Sequence, residues 1–281
     1  MIDIVTVVFR DELPILQLQA QSVDLYCRNI GVKDIFVVVN DSADVADQID
    51  PDWWGSLAHC VKIVPRQTFE CNFVENGWVS QQVLKMLASS LSKNTWSMIL
   101  DAKTLLVSDV VLNQIMDNQG RLKFGNLDVY PVFEPSRQIT NRLFDIDLKK
   151  QVGPGGVPFF FHNESIRSMI KYVEQKVNQK FAEWFQAQGM LTEFILYSGW
   201  IELCSNFDSL YTYYAPDVGL LVNICHSEVG IADQKIKNMS MPDTMAVGVH
   251  RNAWSRFTQE QKNMYKDFLL SRSITRAKEI L

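Results

Sequence analysis

Short apolar runs alternate with amphipathic segments in the first hundred residues, and this alternation constrains the fold more than any other feature of the chain. The apolar runs cover residues 2–9, 35–39, 60–64 and 96–100. Short runs rich in Ile and Val are typical of strands that are covered on both faces. Residues 13–28 and 77–91 instead carry apolar side chains at helical spacing. The pattern predicts an α/β fold with a mostly parallel central sheet flanked by helices.

The polar residues that follow three of these runs are the best candidates for a functional site. Phe9-Arg10, Asn40-Asp41 and Asp101-Ala102-Lys103 come at the ends of the first, second and fourth predicted strands. Ligands of open α/β sheets bind at the carboxyl ends of the strands. We therefore expect these side chains to meet in one cleft.

The second half of the chain is less regular. We predict a strand over residues 127–133, a helix over residues 164–188 with Asn163 as its cap, and a late strand over residues 219–225. Thr258 and Gln261 match a capping box, which predicts a last helix. Residues 151–158 are rich in Gly and Pro but lack the spacing of a phosphate-binding loop. No break in composition requires a second domain, so we predict a single domain over residues 1–281.

Charge and composition argue against several classes of protein. The formal net charge is −5 and no block of Lys and Arg stands out, so no nucleic-acid partner is expected. No apolar run approaches the roughly 18 residues of a membrane span. The five cysteines are scattered without C-x-x-C spacing, which indicates neither a disulfide framework nor a zinc site. The first residues run directly into a strand pattern without a basic leader, and a cytoplasmic location is the expectation.

Three segments resemble GT-A glycosyltransferases, in the order found in that family. Leu100-Asp101-Ala102-Lys103 resembles the Leu-Asp-Ala-Asp metal and diphosphate motif at the end of an apolar strand, with Lys in place of the second Asp. Residues 77–85, GWVSQQVLK, resemble the "GW..QQ.LK" helix of bacterial and phage GT-A-like proteins. Residues 192–197, TEFILY, resemble their "(S/T)E(Y/F).LY" segment.

This resemblance implies a GT-A-like fold, with a nucleotide-binding half over residues 1–103 and an acceptor half with a C-terminal helix over residues 104–281. It implies a hexosyltransferase-like enzyme that moves a sugar, with inversion, from a nucleotide-sugar donor, UDP-linked, to a glycan or other hydroxyl acceptor. The alternative is a non-catalytic nucleotide-sugar binding protein with a degenerate site. A nucleotidyltransferase is disfavoured, because no Gly-rich basic signature follows the first strand. Residues 153–156 either shape the acceptor side or form a plain turn.

Lys103 occupies the position of the Asp that holds Mn²⁺ or Mg²⁺ in the family that the motif resembles. A protonated Lys does not ligate a metal, but its ammonium can lie against a phosphate. We expect Lys103 to take over the electrostatic role of the metal, so that no metal cofactor is required. Loss of catalysis with a retained pocket is the competing interpretation. If Mn²⁺ or Mg²⁺ is bound, its expected ligands are Asp101 and His250.

The resemblance also implies contacts to the donor at the strand ends. It directs Asp101 at the ribose or, through water, at a metal. It directs Asp41 at the base or ribose, and Phe9 and Arg10 at the nucleobase. A structural alternative exists for three of them. Asp101 and Asp41 are turn-forming residues that can satisfy backbone amides, and Phe9 fits the core equally well.

Gln82, Lys85 and His250 complete the expected donor site. Gln82 and Lys85 lie three residues apart and share one face of their predicted helix, where they either reach the donor or remain solvated. His250 occupies the approximate place of the C-terminal His that contacts metal or diphosphate in the family. It, or the adjacent Arg251, is expected to donate a hydrogen bond to phosphate, the alternative being a surface histidine.

Glu193 is the candidate catalytic base. Apolar neighbours would desolvate its carboxylate and raise its basicity, but its reach to an acceptor hydroxyl is not visible in a sequence. The alternative is a Glu that stabilises the first turn of a helix. On the first interpretation, Glu193→Gln abolishes transfer and leaves nucleotide binding intact.

Overall fold

A computed structural model describes residues 1–123, 126–153, 156–212 and 221–281. The strands are β1 (Ile2–Val8), β2 (Ile35–Val39), β3 (Val61–Pro65), β4 (Trp96–Asp101), β5 (Thr104–Leu106), β6 (Asn126–Asp128), β7 (Lys150–Val152), β8 (Phe159–His162), β9 (Leu221–Ile224) and β10 (Ala246–Val249). The α-helices are α1 (Leu13–Tyr26), α2 (Gly77–Leu91), α3 (Leu112–Ile115), α4 (Glu134–Phe144), α5 (Asn163–Val177), α6 (Phe181–Ala187), α7 (Glu193–Leu203), α8 (Phe207–Leu210), α9 (Ala232–Asn238), α10 (Arg251–Trp254), α11 (Gln259–Ser271) and α12 (Ala277–Ile280).

Within these ranges the central sheet contains five strands in the order β3-β2-β1-β4-β8. The pairs between β3, β2, β1 and β4 are parallel, and β8 runs antiparallel to β4. Every residue of β1 and β2 is buried, as expected for Ile- and Val-rich strands with helices on both faces. The prediction of a mostly parallel α/β sheet is confirmed. Val7 lies opposite Asp101 and Val8 opposite Val39, so these strands end at a common edge.

A second sheet, of order β5-β10-β9, begins directly after the turn at Ala102-Lys103. β5 pairs antiparallel with β10, and Thr104 lies opposite Gly248. Lys103 precedes β5 and His250 follows β10. The antiparallel register therefore brings these two residues, far apart in the sequence, to the same end of the sheet.

The predicted long helix over residues 164–188 is in fact two helices, α5 and α6. Asn178 adopts a left-handed conformation (φ 52°) that ends α5, and this accounts for the break. Buried apolar residues continue into α6 because Val173 and Phe181 pack on the same core. Asn163 does not cap α5 with its side chain. It is the first residue of the helix, and its buried amide oxygen accepts a hydrogen bond from Ser97 Oγ at 2.8 Å.

The predicted strand over residues 127–133 is wrong beyond Asp128, where β6 ends. Pro131 begins a short 3₁₀ segment that leads into α4, a position that suits the fixed φ and missing N–H of proline. The capping box at Thr258 is confirmed. Residues 154–155 of the Gly- and Pro-rich loop and residues 219–220 of the predicted late strand lie outside the described residues.

All five cysteines are free thiols. Among the described residues, no helix combines the length and the apolar character needed to cross a bilayer.

Candidate functional site

A cavity of about 770 Å³ opens where the strands of both sheets end. We call it the strand-end cavity. Six residues singled out from the sequence line it together, namely Phe9, Arg10, Asp41, Lys103, His250 and Arg251. They follow β1, β2, β4 and β10, so the expectation of one cleft at the carboxyl ends of the strands agrees with the geometry.

The ends of β1 and β2 are joined by Asp41. Its carboxylate accepts hydrogen bonds from the backbone N–H groups of Arg10 (3.1 Å) and Ser42 (2.7 Å), which lower the pKa of Asp41. The guanidinium of Arg10 donates to Asp44 at 2.6 Å, an exposed ion pair. Asp41 thus shapes the turn, as its structural alternative predicted, and it also lines the cavity.

Phe9 packs against the first turn of α2. A Cβ atom at Gly77 would lie 2.9 Å from the Phe9 ring, so the absence of a side chain at residue 77 permits this approach. The N-terminus of α2 therefore borders the strand-end cavity. Asn76 caps this helix by accepting a hydrogen bond from the N–H of Trp78 at 3.1 Å.

Lys103 faces the cavity while its ammonium is bound to Asp101. Nζ of Lys103 lies 2.5 Å from Oδ2 of Asp101, and about a quarter of the Lys103 side chain is exposed. Burial by itself would raise the pKa of Asp101, but the ammonium groups of Lys103 and Lys85 hold it well below its usual range. Asp101 and Lys103 therefore form an ion pair at the cavity wall.

Gln82, Lys85 and Glu193 lie behind this wall, and none of the three lines the cavity. Lys85 Nζ lies 2.8 Å from Oδ1 of Asp101 and donates a hydrogen bond to Glu193 Oε1 at 3.0 Å. The face of α2 that carries Gln82 and Lys85 packs inward, because α2 covers β1, β2 and α7. The expectation that Gln82 and Lys85 reach the donor directly is therefore corrected to burial behind Asp101.

Glu193 is likewise not positioned as a base that faces an acceptor. It is the first residue of α7, and only 2% of its side chain is exposed. Burial raises the pKa of its carboxyl group, although the ammonium of Lys85 opposes this. Its apolar surroundings were predicted correctly, but the partner that they enclose is a lysine rather than a substrate hydroxyl.

His250 also lines the cavity, and its ring is held by a hydrogen bond from the backbone. Its Nδ1 accepts a hydrogen bond from the N–H of Asn252 at 3.2 Å and so caps α10. In the neutral ring the proton is then on Nε2, which remains able to donate. Burial, together with the positive charges of Lys103 and Arg251, lowers the pKa of His250.

The described residues do not fit a divalent metal of the D-x-D type. Both oxygens of Asp101 already face ammonium groups, and no group of three His, Cys, Asp or Glu side chains within the described ranges has a metal-binding arrangement. Mn²⁺ and Mg²⁺ require several oxygen ligands. Asp101 and His250, the ligands expected if a metal is present, supply too few.

Glu12 and Trp78 also line the cavity, and the sequence analysis did not select them as site residues. Glu12 Oε2 accepts a hydrogen bond from the N–H of Phe9 at 3.2 Å, and burial raises the pKa of this carboxyl group. The position of Trp78 in the sequence did contain a signal that it lines the site. The helix that precedes a parallel strand begins at the carboxyl edge of the sheet, so its first turn faces the site.

Residues 4–245 match the model of DUF6492, described as a family of unknown function. The chain belongs to this family. No curated protein matches the chain.

Solved structures of similar fold include several glycosyltransferases. One is the galactosyltransferase LgtC in complex with donor and acceptor sugar analogs, with a TM-score of 0.50 and 12% identity over 94% of this chain and 95% of that one. A second is the glycosyltransferase GlyE of Streptococcus pneumoniae TIGR4, with a TM-score of 0.49 and 11% identity over 99% of this chain and 62% of that one. The predicted GT-A-like fold is confirmed. Identities this low establish the fold alone.

Proposed function

We propose that the protein is a glycosyltransferase that binds a nucleoside-diphosphate sugar, UDP-linked, in the strand-end cavity and transfers the sugar to a hydroxyl acceptor. The observation that carries this proposal is the meeting of Phe9, Asp41, Lys103 and His250 in one cavity at the strand ends of a GT-A-like fold. Function on such a fold must be argued from the site rather than from the fold.

The cavity offers a different partner for each part of such a donor. Phe9 and Trp78 provide aromatic surface for a base. The carboxylates of Asp41 and Glu12 are acceptors suited to ribose hydroxyls. Lys103, Arg251 and the Nε2–H of His250 are donors suited to diphosphate oxygens.

Lys103 supports transfer without a metal. Two aspartates with a divalent cation carry no net charge, and neither does the Asp101–Lys103 pair, so a diphosphate meets the same net charge in both cases. An ammonium about 4 Å from a phosphate contributes about 4 kcal/mol at an effective dielectric constant near 20, before desolvation is subtracted. Stabilising the charge that develops on the departing diphosphate is usually a large part of such catalysis. The proposal is therefore a metal-independent transferase.

A second candidate, a non-catalytic nucleotide-sugar binding protein, is favoured by one observation. Glu193, the base proposed from the sequence, is buried and paired with Lys85 and does not line the cavity. Inversion of the sugar requires a base near the acceptor hydroxyl. The binding protein needs only the cavity.

A panel of nucleotide sugars assayed for release of nucleoside diphosphate separates the two candidates. Turnover of at least one donor, unchanged by EDTA, is the expected result. Binding without turnover of any donor would establish the binding protein instead. A strict requirement for Mn²⁺ or Mg²⁺ would sink the role given to Lys103.

Lys103→Met tests whether the ammonium of Lys103 binds the diphosphate in the strand-end cavity. Loss of one phosphate-facing charge is expected to weaken UDP binding by about tenfold or more. Lys149→Met is the control, because Lys149 is an exposed lysine that does not line the cavity. Equal affinity of the two variants for UDP would remove Lys103 from the binding site.

A further inference from the structure

Four charged side chains form a continuous line from α7 to the strand-end cavity. Glu193 Oε1 accepts from Lys85 Nζ at 3.0 Å, Lys85 Nζ lies 2.8 Å from Asp101 Oδ1, and Asp101 Oδ2 binds Lys103 Nζ at 2.5 Å. We call these residues the charge chain. Its inner members are almost fully buried, and its last member lines the cavity.

The charge chain is electrically neutral, and Asp101 links its two ammonium groups. It contains two carboxylates and two ammonium groups, so its net charge is zero. Burial by itself would lower the pKa of Lys85, but Asp101 and Glu193 together raise it above its usual value. A buried charge without a partner is costly, which explains why Lys85 requires Glu193 once Asp101 is shared with Lys103.

The other end of the charge chain also leads back to the cavity. When the amide nitrogen of Gln82 faces Glu193, it donates to that carboxylate, and Gln82 Oε1 accepts from Trp78 Nε1 at 3.1 Å. Trp78 lines the cavity on the side of α2. In that orientation the Glu193 carboxylate is satisfied within the protein by Lys85 and Gln82.

We infer that Lys85 and Glu193 are positioning residues that hold the Asp101–Lys103 pair at the cavity wall, and that Glu193 is the counter-ion of Lys85 rather than a catalytic base. The inference rests on the proposed function in one respect, which is that the ammonium of Lys103 binds a diphosphate. Lys85 competes with Lys103 for Asp101, and Glu193 restrains Lys85. The balance among the four charges sets how freely the ammonium of Lys103 can turn towards an anion.

Removing the charge of Lys85 and removing the charge of Glu193 are expected to have opposite effects on how tightly Asp101 holds Lys103. Lys85→Met leaves one excess negative charge, which holds Lys103 more tightly against Asp101. Glu193→Gln leaves one excess positive charge, which draws Lys85 to Asp101 and frees Lys103. The double variant Lys85→Met/Glu193→Gln restores neutrality. A merely structural defect would loosen Lys103 in both single variants.

The rate at which acetic anhydride acylates Lys103, measured by mass spectrometry in the full chain, reports this balance without any ligand. We expect Lys103 to acylate more slowly in Lys85→Met and faster in Glu193→Gln, each by about threefold, because a Lys103 side chain held more tightly against Asp101 is less accessible to the reagent. The double variant is expected to return to the wild-type rate. Rates that change in the same direction in both single variants, or a double variant unlike wild type, would overturn the inference. If Lys85→Met does not fold, Glu193→Gln and the double variant still test the inference. The inference predicts faster acylation in Glu193→Gln and the wild-type rate in the double variant, whereas a structural defect predicts faster acylation in both.

Calorimetric binding of inorganic pyrophosphate tests the proposed function separately. Lys85→Met is expected to bind pyrophosphate about tenfold more weakly than wild type, and the double variant to match wild type. Failure of wild type to bind pyrophosphate or UDP would sink the proposed function, whereas the acylation pattern would still decide the inference. With a donor that wild type turns over, loss of turnover in the double variant despite unchanged pyrophosphate binding would restore Glu193 as the base and overturn the inference.

Discussion

At the scale of residues, the decisive feature is that Asp101 serves two ammonium groups at once. Lys85 approaches it from the core and Lys103 from the cavity. An acid in this position is stabilised in its charged form, and the folded protein gains stability from that charge. The same residue is therefore important both for stability and for the anion site.

Asp101→Asn is expected to lower the free energy of unfolding by about 3 kcal/mol at pH 7. Because the pKa of Asp101 is depressed in the folded state, its contribution is present above the pKa of an unfolded Asp, near 4, and is lost as the pH falls through the folded value. The difference in stability between wild type and variant should therefore begin to narrow as the pH falls below about 4. Urea denaturation between pH 3 and pH 7 measures this, and a difference that stays constant with pH would contradict it.

His250 is expected to take up a proton when a diphosphate binds. Its pKa is lowered in the free protein by burial and by Lys103 and Arg251, and a bound anion offsets those positive charges. The pKa then rises on binding, so affinity for UDP increases as the pH falls from about 7.5 to about 5.5. Calorimetry of UDP binding in buffers of different ionisation enthalpy measures the number of protons that the complex takes up. His250→Gln should abolish the uptake; equal uptake by the variant would assign the proton to another group.

At the scale of elements, α7 is positioned by its contact with α4. Gly199 of α7 lies against Thr140 and Phe144 of α4, and a Cβ atom at residue 199 would collide with the Thr140 methyl and lie 3.1 Å from the Phe144 ring. This close packing fixes the start of α7, and with it Glu193 behind the cavity wall.

Gly199→Ala is therefore expected to destabilise the protein by about 1–3 kcal/mol, although Ala favours a helix more than Gly does. Gly230→Ala is the control, because no atom lies within 4 Å of the Cβ position there. Its effect should stay within about 0.5 kcal/mol. Urea denaturation compares the two, and a neutral or stabilising Gly199→Ala would show that α4 and α7 can move apart at little cost.

At the scale of the whole molecule, the strand-end cavity lies where two hydrophobic clusters meet. Side chains of β5 and of the residue after it alternate between the clusters, because Leu106 belongs to the larger cluster and Leu105 and Val107 to the smaller one. Successive residues of a strand point to opposite faces, so this short strand is shared by both clusters. The shared strand supports the proposal that residues 1–281 form one domain.

Scanning calorimetry tests that proposal directly. A single domain is expected to unfold in one transition whose calorimetric and van't Hoff enthalpies agree. At a UDP concentration of 100 times Kd, the whole transition should shift upwards, since binding adds about 2.7 kcal/mol to the native state. Two transitions, of which only one responds to UDP, would show that the halves unfold separately.

The sequence alone determined the central sheet, its helices and the residues at its edge, because these follow from local patterns. A run such as residues 35–39 has the composition of a buried strand wherever it occurs, and parallel strands place Phe9, Asp41 and Lys103 at one edge. The break at Asn178 and the 3₁₀ start at Pro131 depend on the local backbone conformation of these residues, which hydrophobic periodicity alone does not report.

Only the tertiary structure decided which charges meet. Lys85 and Glu193 are separated by more than a hundred residues, and no local signal showed that α2 and α7 would bring them together behind Asp101. The sequence predicts Glu193 to be a catalytic base with apolar neighbours, and those neighbours were predicted correctly. Its partner was a lysine from another helix, because a buried charge is stabilised by whichever opposite charge the packing places beside it.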